Sequence, residues 1–307
     1  MRVVDTIAEV RTMCDDARRT GGTVGFVPTM GYFHAGHRSL MVAARSANDL
    51  VVVSHFVNPT QFGPNEDLSA YPRNVAHDIA LATAAGVDVL FMPTVEDMYP
   101  SGTAHTTVHV AGMTEGMCGV SRPNHFDGVT TVVAKLFSIV GPCRAYFGRK
   151  DFQQLAVVRR MTADLDLPVE VVGCPLVREA DGLARSSRNA YLTPEEREAA
   201  PQLYAALMGA VELIRAGERR AAGVVASIVT SLGSEPSLTL EYVEVRAAES
   251  LVALDAIEGV AVIALAAKAG RARLIDNVVV DVDGDRISVD AGLIDEGSDG
   301  PSVVVNP

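Results

Sequence analysis

The sequence predicts an α/β protein: a parallel sheet flanked by helices, followed by a smaller α+β lid. Three observations carry this expectation. Over roughly the first 175 residues, short apolar runs alternate with helical patterns. Those runs are nearly continuous in Val, Ile and Leu, as strands buried on both faces require. After residue 176 the pattern changes to two helices followed by three strands. In order, 24–27 reads as the first buried strand, and a loop leads into a helical stretch over 39–47. A strand follows over 50–57, a helix over 75–85 and a strand over 87–91. Beyond a Gly/His-rich stretch come a helix at 130–139, a strand at 145–147, a helix at 152–164 and a strand at 169–172. Parallel strands need crossover connections of fixed hand, so residues 1–176 are expected to form a Rossmann-like sheet domain.

Residues 177–283 form the expected C-terminal α+β lid domain. Thr193 suits an N-cap, Pro194 the first helical position and Glu196 the third, so a helix should run from 194 to about 216, where Gly217 ends it. A second helix follows at 221–232, then strands at 239–245, 260–265 and 274–282. From about residue 283 the chain turns acidic and Gly/Ser/Pro-punctuated, and 284–307 is expected to be a poorly ordered tail.

The 307 residues are 48% hydrophobic and 21% charged, too apolar for a disordered chain. The net charge of −12 argues against a nucleic-acid partner, which selects basic surfaces. No apolar run reaches the length of a membrane span, and Met1-Arg2-Val3-Val4-Asp5 places an acid where a secretory signal needs its apolar core. Cys14, Cys118, Cys143 and Cys174 form no CxxC pair, which fits a reduced, cytoplasmic setting. The charge is unevenly spread. Residues 280–307 hold seven acids and one Arg, whereas 122–188 hold ten basic and seven acidic residues, so a locally basic strip can still attract an anionic ligand.

The strongest local signal is Pro28-Thr29-Met30-Gly31-Tyr32-Phe33-His34-Ala35-Gly36-His37, between the first strand and the first helix. Ligands of open parallel sheets bind beyond the carboxyl ends of the strands, and a helix N-terminus there suits phosphate. Gly31 and Gly36 permit close backbone approach, while His34 and His37 can donate hydrogen bonds to phosphate oxygens as charge builds on a leaving group. A metal site, a dinucleotide loop and a pair of capping histidines compete with this reading; the first two lack the HExxH and GxGxxG patterns.

Three further segments fall at strand ends or between the domains. In Ser54-His55-Phe56-Val57-Asn58-Pro59-Thr60-Gln61-Phe62, Gln61 offers both a donor and an acceptor, which suits a hydroxylated carboxylic acid. In Gly148-Arg149-Lys150-Asp151-Phe152-Gln153-Gln154, Lys150 can neutralise phosphate charge, Asp151 can cap the helix, and Gln154 can face the same cleft. Arg185-Ser186-Ser187-Arg188-Asn189 combines two hydroxyls and two guanidinium groups on a loop that can close over phosphate.

Taken together, the ordered set resembles the pantothenate synthetase (pantoate–β-alanine ligase) family of the His-x-Gly-His nucleotidylyltransferase superfamily. The likeness runs from about Pro28 to Asn277 and includes Ala70-Tyr71-Pro72-Arg73, Ser121-Arg122-Pro123-Asn124-His125-Phe126, Asp181-Gly182-Leu183-Ala184 and Ala272-Arg273-Leu274-Ile275-Asp276-Asn277. The resemblance implies an ATP-dependent condensation of pantoate with β-alanine through a pantoyl adenylate, releasing pyrophosphate and AMP. It implies Mg²⁺ carried on the ATP phosphates, no dedicated metal ligands, and a homodimer. By motif, His37 matches the proposed proton donor, with His34, Lys150, Ser186, Ser187 and Arg188 on the phosphates. Met30 through His37, Gly148, Arg149, Lys150, Asp151, Val177 and 185–188 match the ATP site. Gln61 and Gln154 match the amides that hold pantoate, Gln61 also lying near β-alanine.

The sequence also departs from that family's pattern. Arg149 stands where Glu is usual, Arg185 where Met or Leu is usual, Thr60 for Met and His55 for Ile. Residues around Met117-Cys118-Gly119 read as a short insertion, and the acidic end extends past the usual terminus. Both arginines border the expected ATP site, so two alternatives stand beside the ligase: a nucleotide-binding homologue with weakened catalysis, and a nucleotidylyltransferase with another substrate.

Overall fold

A computed structural model describes residues 1–64 and 66–295. The chain opens with β1 (Arg2–Val4) and α1 (Ile7–Arg19), which the sequence patterns did not single out. Three residues are too few to show a period, and only Val10 and Cys14 of α1 are fully buried. The alternation that follows is the expected one: β2 (Val24–Thr29), α2 (Ala35–Ala47), β3 (Leu50–His55), α3 (Val75–Ala84) and β4 (Val89–Phe91). Two short helices, α4 (Val95–Met98) and α5 (Cys118–Ser121), precede α6 (His125–Val140). The sheet is then completed by β5 (Cys143–Gly148), α7 (Phe152–Asp164) and β6 (Val169–Cys174).

These six strands pair in parallel in the order β1-β4-β3-β2-β5-β6. From β2 the chain builds outward through β3 and β4, then returns to lay β5 and β6 on the other side. The order reverses between β2 and β5, and the loops leaving those neighbouring strands part to leave a crevice. Both faces of the sheet are covered. Val24, Phe26 and Val52 pack with Val10, Val133, Phe137 and Leu155 on one side. Val27, Val51 and Val53 pack with Leu40, Met41, Ala44 and Ala82 on the other. Each Val, Leu, Met or Phe among them contributes roughly 1.5–3 kcal/mol by leaving water, which makes the strands rigid supports for the loops at their ends.

Beyond β6, the two-residue strand β7 (Val177–Arg178) and a 3-10 turn (Ser187–Tyr191) lead into α8 (Pro194–Ala199), α9 (Gln202–Arg215) and α10 (Ala221–Leu232). The single helix expected over 194–216 is therefore two. The break falls at Ala200–Pro201, because Pro201 has no N–H to donate into the preceding turn. The strands β8 (Thr239–Ala247), β9 (Gly259–Ala269), β10 (Ala272–Asp283) and β11 (Arg286–Asp290) form an antiparallel sheet in the order β11-β10-β9-β8. Helices α9 and α10 bury Leu207, Val211 and Ile228 against Ile263, Leu265, Val278 and Val280.

The expectation of a poorly ordered tail from residue 284 is corrected for its described part. Asp283-Gly284-Asp285-Arg286 makes a two-residue hairpin with Gly284 at φ +59°, so β11 extends the sheet to Asp290. A last strand, β12 (Leu293–Ile294), pairs in parallel with β7. Residues 296–307 of that expected tail lie outside the described residues.

Candidate active site

The β2–α2 loop is shaped by its backbone and by a buried acid. Gly31 has φ +84° and Tyr32 φ +53°, and a Cβ on Gly31 would collide with the His55 imidazole. Asp78 of α3, fully buried, accepts from the N–H groups of Tyr32 at 2.7 Å and Phe33 at 2.6 Å. It also pairs with His55 Nε2 at 2.8 Å. The turn therefore projects His34 and His37 toward the crevice. His34 caps α2: its Nδ1 accepts from the Gly36 N–H at 3.1 Å, which places the ring proton of the neutral form on Nε2.

The two imidazoles lie with centroids 4.2 Å apart, and Phe33 packs 5.4 Å from His37. His37 is pushed down to about 4, chiefly by burial; Asp78 and Asp151 oppose the shift, and Lys150 and His55 add to it. His34 lies well below the ordinary histidine range, again chiefly through burial, then through His37, Lys150 and Arg185. Both rings are thus neutral at neutral pH, and each carries one ring N–H that can donate. His37 Nδ1 is buried without a hydrogen-bond partner among the described residues, a group that a ligand oxygen would satisfy.

At the end of β3, Asn58 caps the 3-10 turn Pro59–Gln61 and donates to the Gln61 Oε1 at 3.2 Å and the Gly128 carbonyl at 3.1 Å. Gln61 is buried, with its Nε2 3.0 Å from Met30 Sδ. The backbone of Gln61 is held by His125, whose Nδ1 lies 2.8 Å from its carbonyl. Arg122 donates to His125 Nε2 at 3.0 Å, so the proton of neutral His125 sits on Nδ1 and faces Gln61. Arg122 itself pairs with Glu66 at 2.6 Å. Burial and Arg122 push His125 down to about 4, which keeps that tautomer neutral.

The third strand end, after β5, carries Gly148, Lys150 and Asp151. Lys150 Nζ is 3.7 Å from Asp151, and the carbonyls of Arg149 and Lys150 each accept from Asn277 of β10 at 3.0 Å. Gln154 faces the cleft, whereas its neighbour Gln153 turns inward. Gln153 accepts from the Cys118 N–H at 3.0 Å and donates to the Met113 and Gly116 carbonyls, fixing the segment expected to be an insertion. Over the crevice lies the 185–188 segment. Ser187 Oγ donates to the Tyr32 carbonyl at 3.3 Å, and Arg188 forks onto Asp67 at 3.0 and 3.1 Å.

One cleft is thus lined by Met30, His34, Gly36, His37, Gln61, Gly148, Lys150, Asp151, Gln154, Val177, Arg185, Ser186, Ser187 and Arg188. Four residues expected in the ATP set are not among the lining groups: Gly31, Tyr32 and Phe33 form the loop behind it, and Ala35 is the first residue of α2. Arg149, expected there too, turns away: its guanidinium pairs with Asp290 of β11, and it borders a different groove with Arg159. Asp78, Asn58, Arg122, His125 and Asn277 were not singled out as site residues by the sequence patterns. A lone acid inside the apolar Val75–Ala84 helix is the one local signal that pointed to Asp78.

The profile of the family described as pantoate-beta-alanine ligase matches residues 2–279. A pantothenate synthetase of Acetivibrio thermocellus is 52% identical over 282 residues, covering 92% of this chain and all of that protein. One from Moorella thermoacetica is 54% identical, covering 92% of this chain and 99% of its own length. The crystal structure of pantothenate synthetase from Thermus thermophilus superposes with a TM-score of 0.85 at 50% identity, covering 90% of this chain and 98% of that one. A pantoate-beta-alanine ligase from Francisella tularensis, crystallised with β,γ-ATP and β-alanine, superposes at 0.72 with 33% identity, covering 90% and 97%. The chain belongs to the pantoate–β-alanine ligase family.

Proposed function

We propose that this protein joins pantoate to β-alanine in two steps in the one cleft. In the first, the pantoate carboxylate oxygen attacks the α-phosphorus of ATP, the bond to the bridging oxygen breaks, and pyrophosphate leaves with the electron pair. In the second, the β-alanine amine attacks the acyl carbon of the pantoyl adenylate, AMP departs, and the amine loses a proton to leave pantothenate. A carboxylate is a poor electrophile, and adenylation gives it a good leaving group. The chain's task is positioning and charge stabilisation.

The observation that carries this reading is the convergence of His34, His37, Lys150 and Ser186–Arg188 with the amides of Gln61 and Gln154 in that cleft. The neutral imidazoles donate to phosphate oxygens, with His34 doing so through Nε2, and Lys150 offsets charge on the departing pyrophosphate. Gln61 and Gln154 hold the hydroxyl and carboxylate groups of pantoate, Gln61 being oriented by Asn58. The Ser186–Arg188 segment closes on the phosphates, Arg188 exchanging Asp67 for phosphate oxygens. Among the described residues no group of three His, Cys, Asp or Glu side chains is arranged to hold a metal ion. In this reading Mg²⁺ enters as MgATP, where it neutralises phosphate charge.

In the same reading, residues 1–176 act as the nucleotide- and pantoate-binding domain and the segment from 177 as a lid, in a homodimer. The four cysteines, all unpaired, support a reducing, cytoplasmic setting. Among the described residues no helix is long and apolar enough to cross a membrane. The test is a two-stage assay. Protein, MgATP and pantoate should release pyrophosphate before any amine is present, and β-alanine should then yield AMP and the amide. Absence of pantoate-dependent pyrophosphate rules the reading out, while a product that retains the nucleotidyl group points to a nucleotidylyltransferase. Sedimentation of the purified chain decides the dimer.

A further inference from the structure

The family profile stops at residue 279, yet the described chain continues to 295 and returns to the cleft. After β11 the segment turns at Gly292, where φ is +88° and a Cβ would lie 2.5 Å from the Leu176 carbonyl oxygen. It then runs alongside β7: the Leu293 N–H donates to the Leu176 carbonyl at 2.7 Å and the Asp295 N–H to the Arg178 carbonyl at 2.8 Å. The other edge of β7 is occupied by the start of the phosphate segment. Arg178 bridges Ala184, and the Arg185 N–H donates to the Val177 carbonyl at 2.9 Å. Residues 293–294, β7 and 184–185 are therefore three adjacent strips, and the innermost runs directly into Ser186-Ser187-Arg188.

Two ion pairs fasten this arrangement. Asp295 accepts from Arg185 at 3.2 Å, and Asp290 pairs with Arg149, the residue before Lys150. The extension thus supplies the counter-charge for the first residue of the phosphate segment and for the turn that presents Lys150. Arg185 also lies 3.6 Å from Glu179, so its guanidinium is held between two carboxylates. Being held costs a long side chain its rotamer freedom, and here that cost is met before any ligand arrives.

We propose that residues 284–295 form a strap that pre-positions the Ser186–Arg188 segment for ATP, with Asp295 and Asp290 as positioning residues. The strap is fastened at both of the cleft's basic turns, so loosening it acts first on the nucleotide; of the two pantoate amides, Gln61 sits on another strand end and Gln154 is held within α7. This proposal rests on the ATP reading of the cleft, and the first measurement below is made without nucleotide so that the two can fail separately.

The experiment uses the full chain carrying Asp290→Asn and Asp295→Asn together, with Asp285→Asn on the hairpin turn as a control for charge loss alone. Hydrogen–deuterium exchange of amides 183–190 in the ligand-free protein should speed up by about tenfold, and the KM for ATP should rise by about fivefold, with kcat and the KM for pantoate within about twofold of wild type. Asp295→Glu in place of Asp295→Asn should restore most of the ATP affinity, and Asp285→Asn should change neither readout. Exchange unchanged in the double variant overturns the strap. Faster exchange with an unchanged KM for ATP overturns its place in the nucleotide site. Equal rises in the KM for ATP and pantoate, or the same changes in Asp285→Asn, overturn the specific role of the two acids.

Discussion

Asp78 and His55 face each other at 2.8 Å behind the glycine of the β2–α2 loop, both buried. The same carboxylate takes the Tyr32 and Phe33 N–H groups, so one acid on α3 satisfies two donors of a turn that holds Gly31 and Tyr32 at positive φ. Burial alone would raise the Asp78 carboxyl. The bonds from His55, Phe33 and Tyr32 outweigh it and hold the group below the usual carboxylate range. A carboxylate depressed in the folded state contributes stability above its unfolded pKa, and that contribution is lost as pH falls through the folded value. Asp78→Asn is expected to cost about 3 kcal/mol at neutral pH, because one amide hydrogen would then face the loop's N–H groups. Urea unfolding at pH 7 and in steps down to about pH 3 checks both points: the acid-induced loss should be shallower in the variant.

His34, His37 and His125 are each held below the ordinary histidine value by burial, the last two to about 4. Between the ordinary value and about 4, the unfolded chain binds protons that the folded one does not, so stability should fall as pH drops through that window. Activity has a matching signature. In the free enzyme, kcat/KM for ATP should show no ionisation near about 6.5, because the imidazoles of His34 and His37 stay neutral there. A limb at that pH that vanished in His37→Gln would count against neutral donors. Loss of the His37 donor itself should lower kcat by about 10²–10³-fold.

The adjacent glutamines of α7 should separate cleanly. Gln154 lines the cleft, and Gln154→Ala should raise the KM for pantoate by about tenfold or more with little change in melting temperature. Gln153 is buried on the 113–118 segment, so Gln153→Ala should cost about 2–3 kcal/mol of stability by orphaning the Cys118 N–H and two carbonyls. Its KM values should remain near wild type. Thermal melts beside initial-rate kinetics on the two variants distinguish the roles.

Arg178 and Asp276 form a bidentate pair at 2.7 and 2.9 Å with almost no exposure, and the guanidinium lies 4.0 Å from the Tyr204 ring centroid. Burial raises the Asp276 carboxyl even with Arg178 lowering it. Removing one partner leaves an uncompensated buried group, so Arg178→Met should lose about 3–5 kcal/mol, whereas Arg178→Met with Asp276→Leu should recover much of that. Equilibrium unfolding of the two variants measures the difference. A double variant no better than the single would mean the pair contributes net stability beyond mutual compensation.

Five of the six strands of the parallel sheet were legible because burial on both faces leaves runs such as Val51-Val52-Val53 with no polar interruption; β1, three residues long, was not. The His-x-Gly-His loop and the Ser-Ser-Arg-Asn segment were legible because phosphate chemistry demands particular groups at short spacing. β11 was not: Arg286-Ile287-Ser288-Val289-Asp290 alternates as a half-buried edge strand does, but its acidic surroundings read as solvated chain. Asp283-Gly284 before it is a hairpin-turn pair, which the acidic composition around it obscures. Pro201, likewise, is a helix breaker that the regular apolar spacing on either side concealed.

By itself the sequence determined the α/β alternation, the strand ends at which chemistry-bearing residues fall, and the family resemblance, since these depend on periodicity and on spacing within single segments. Only the tertiary structure decided that Arg149 leaves the cleft while Gln154 enters it, that Asp78 and His125 set the loops presenting His37 and Gln61, and that the acidic end folds back on Arg149 and Arg185. The contacts behind these outcomes join residues far apart in the chain. A hydrogen bond between such residues depends on how the crossovers bring two elements together, and no local pattern records that distance.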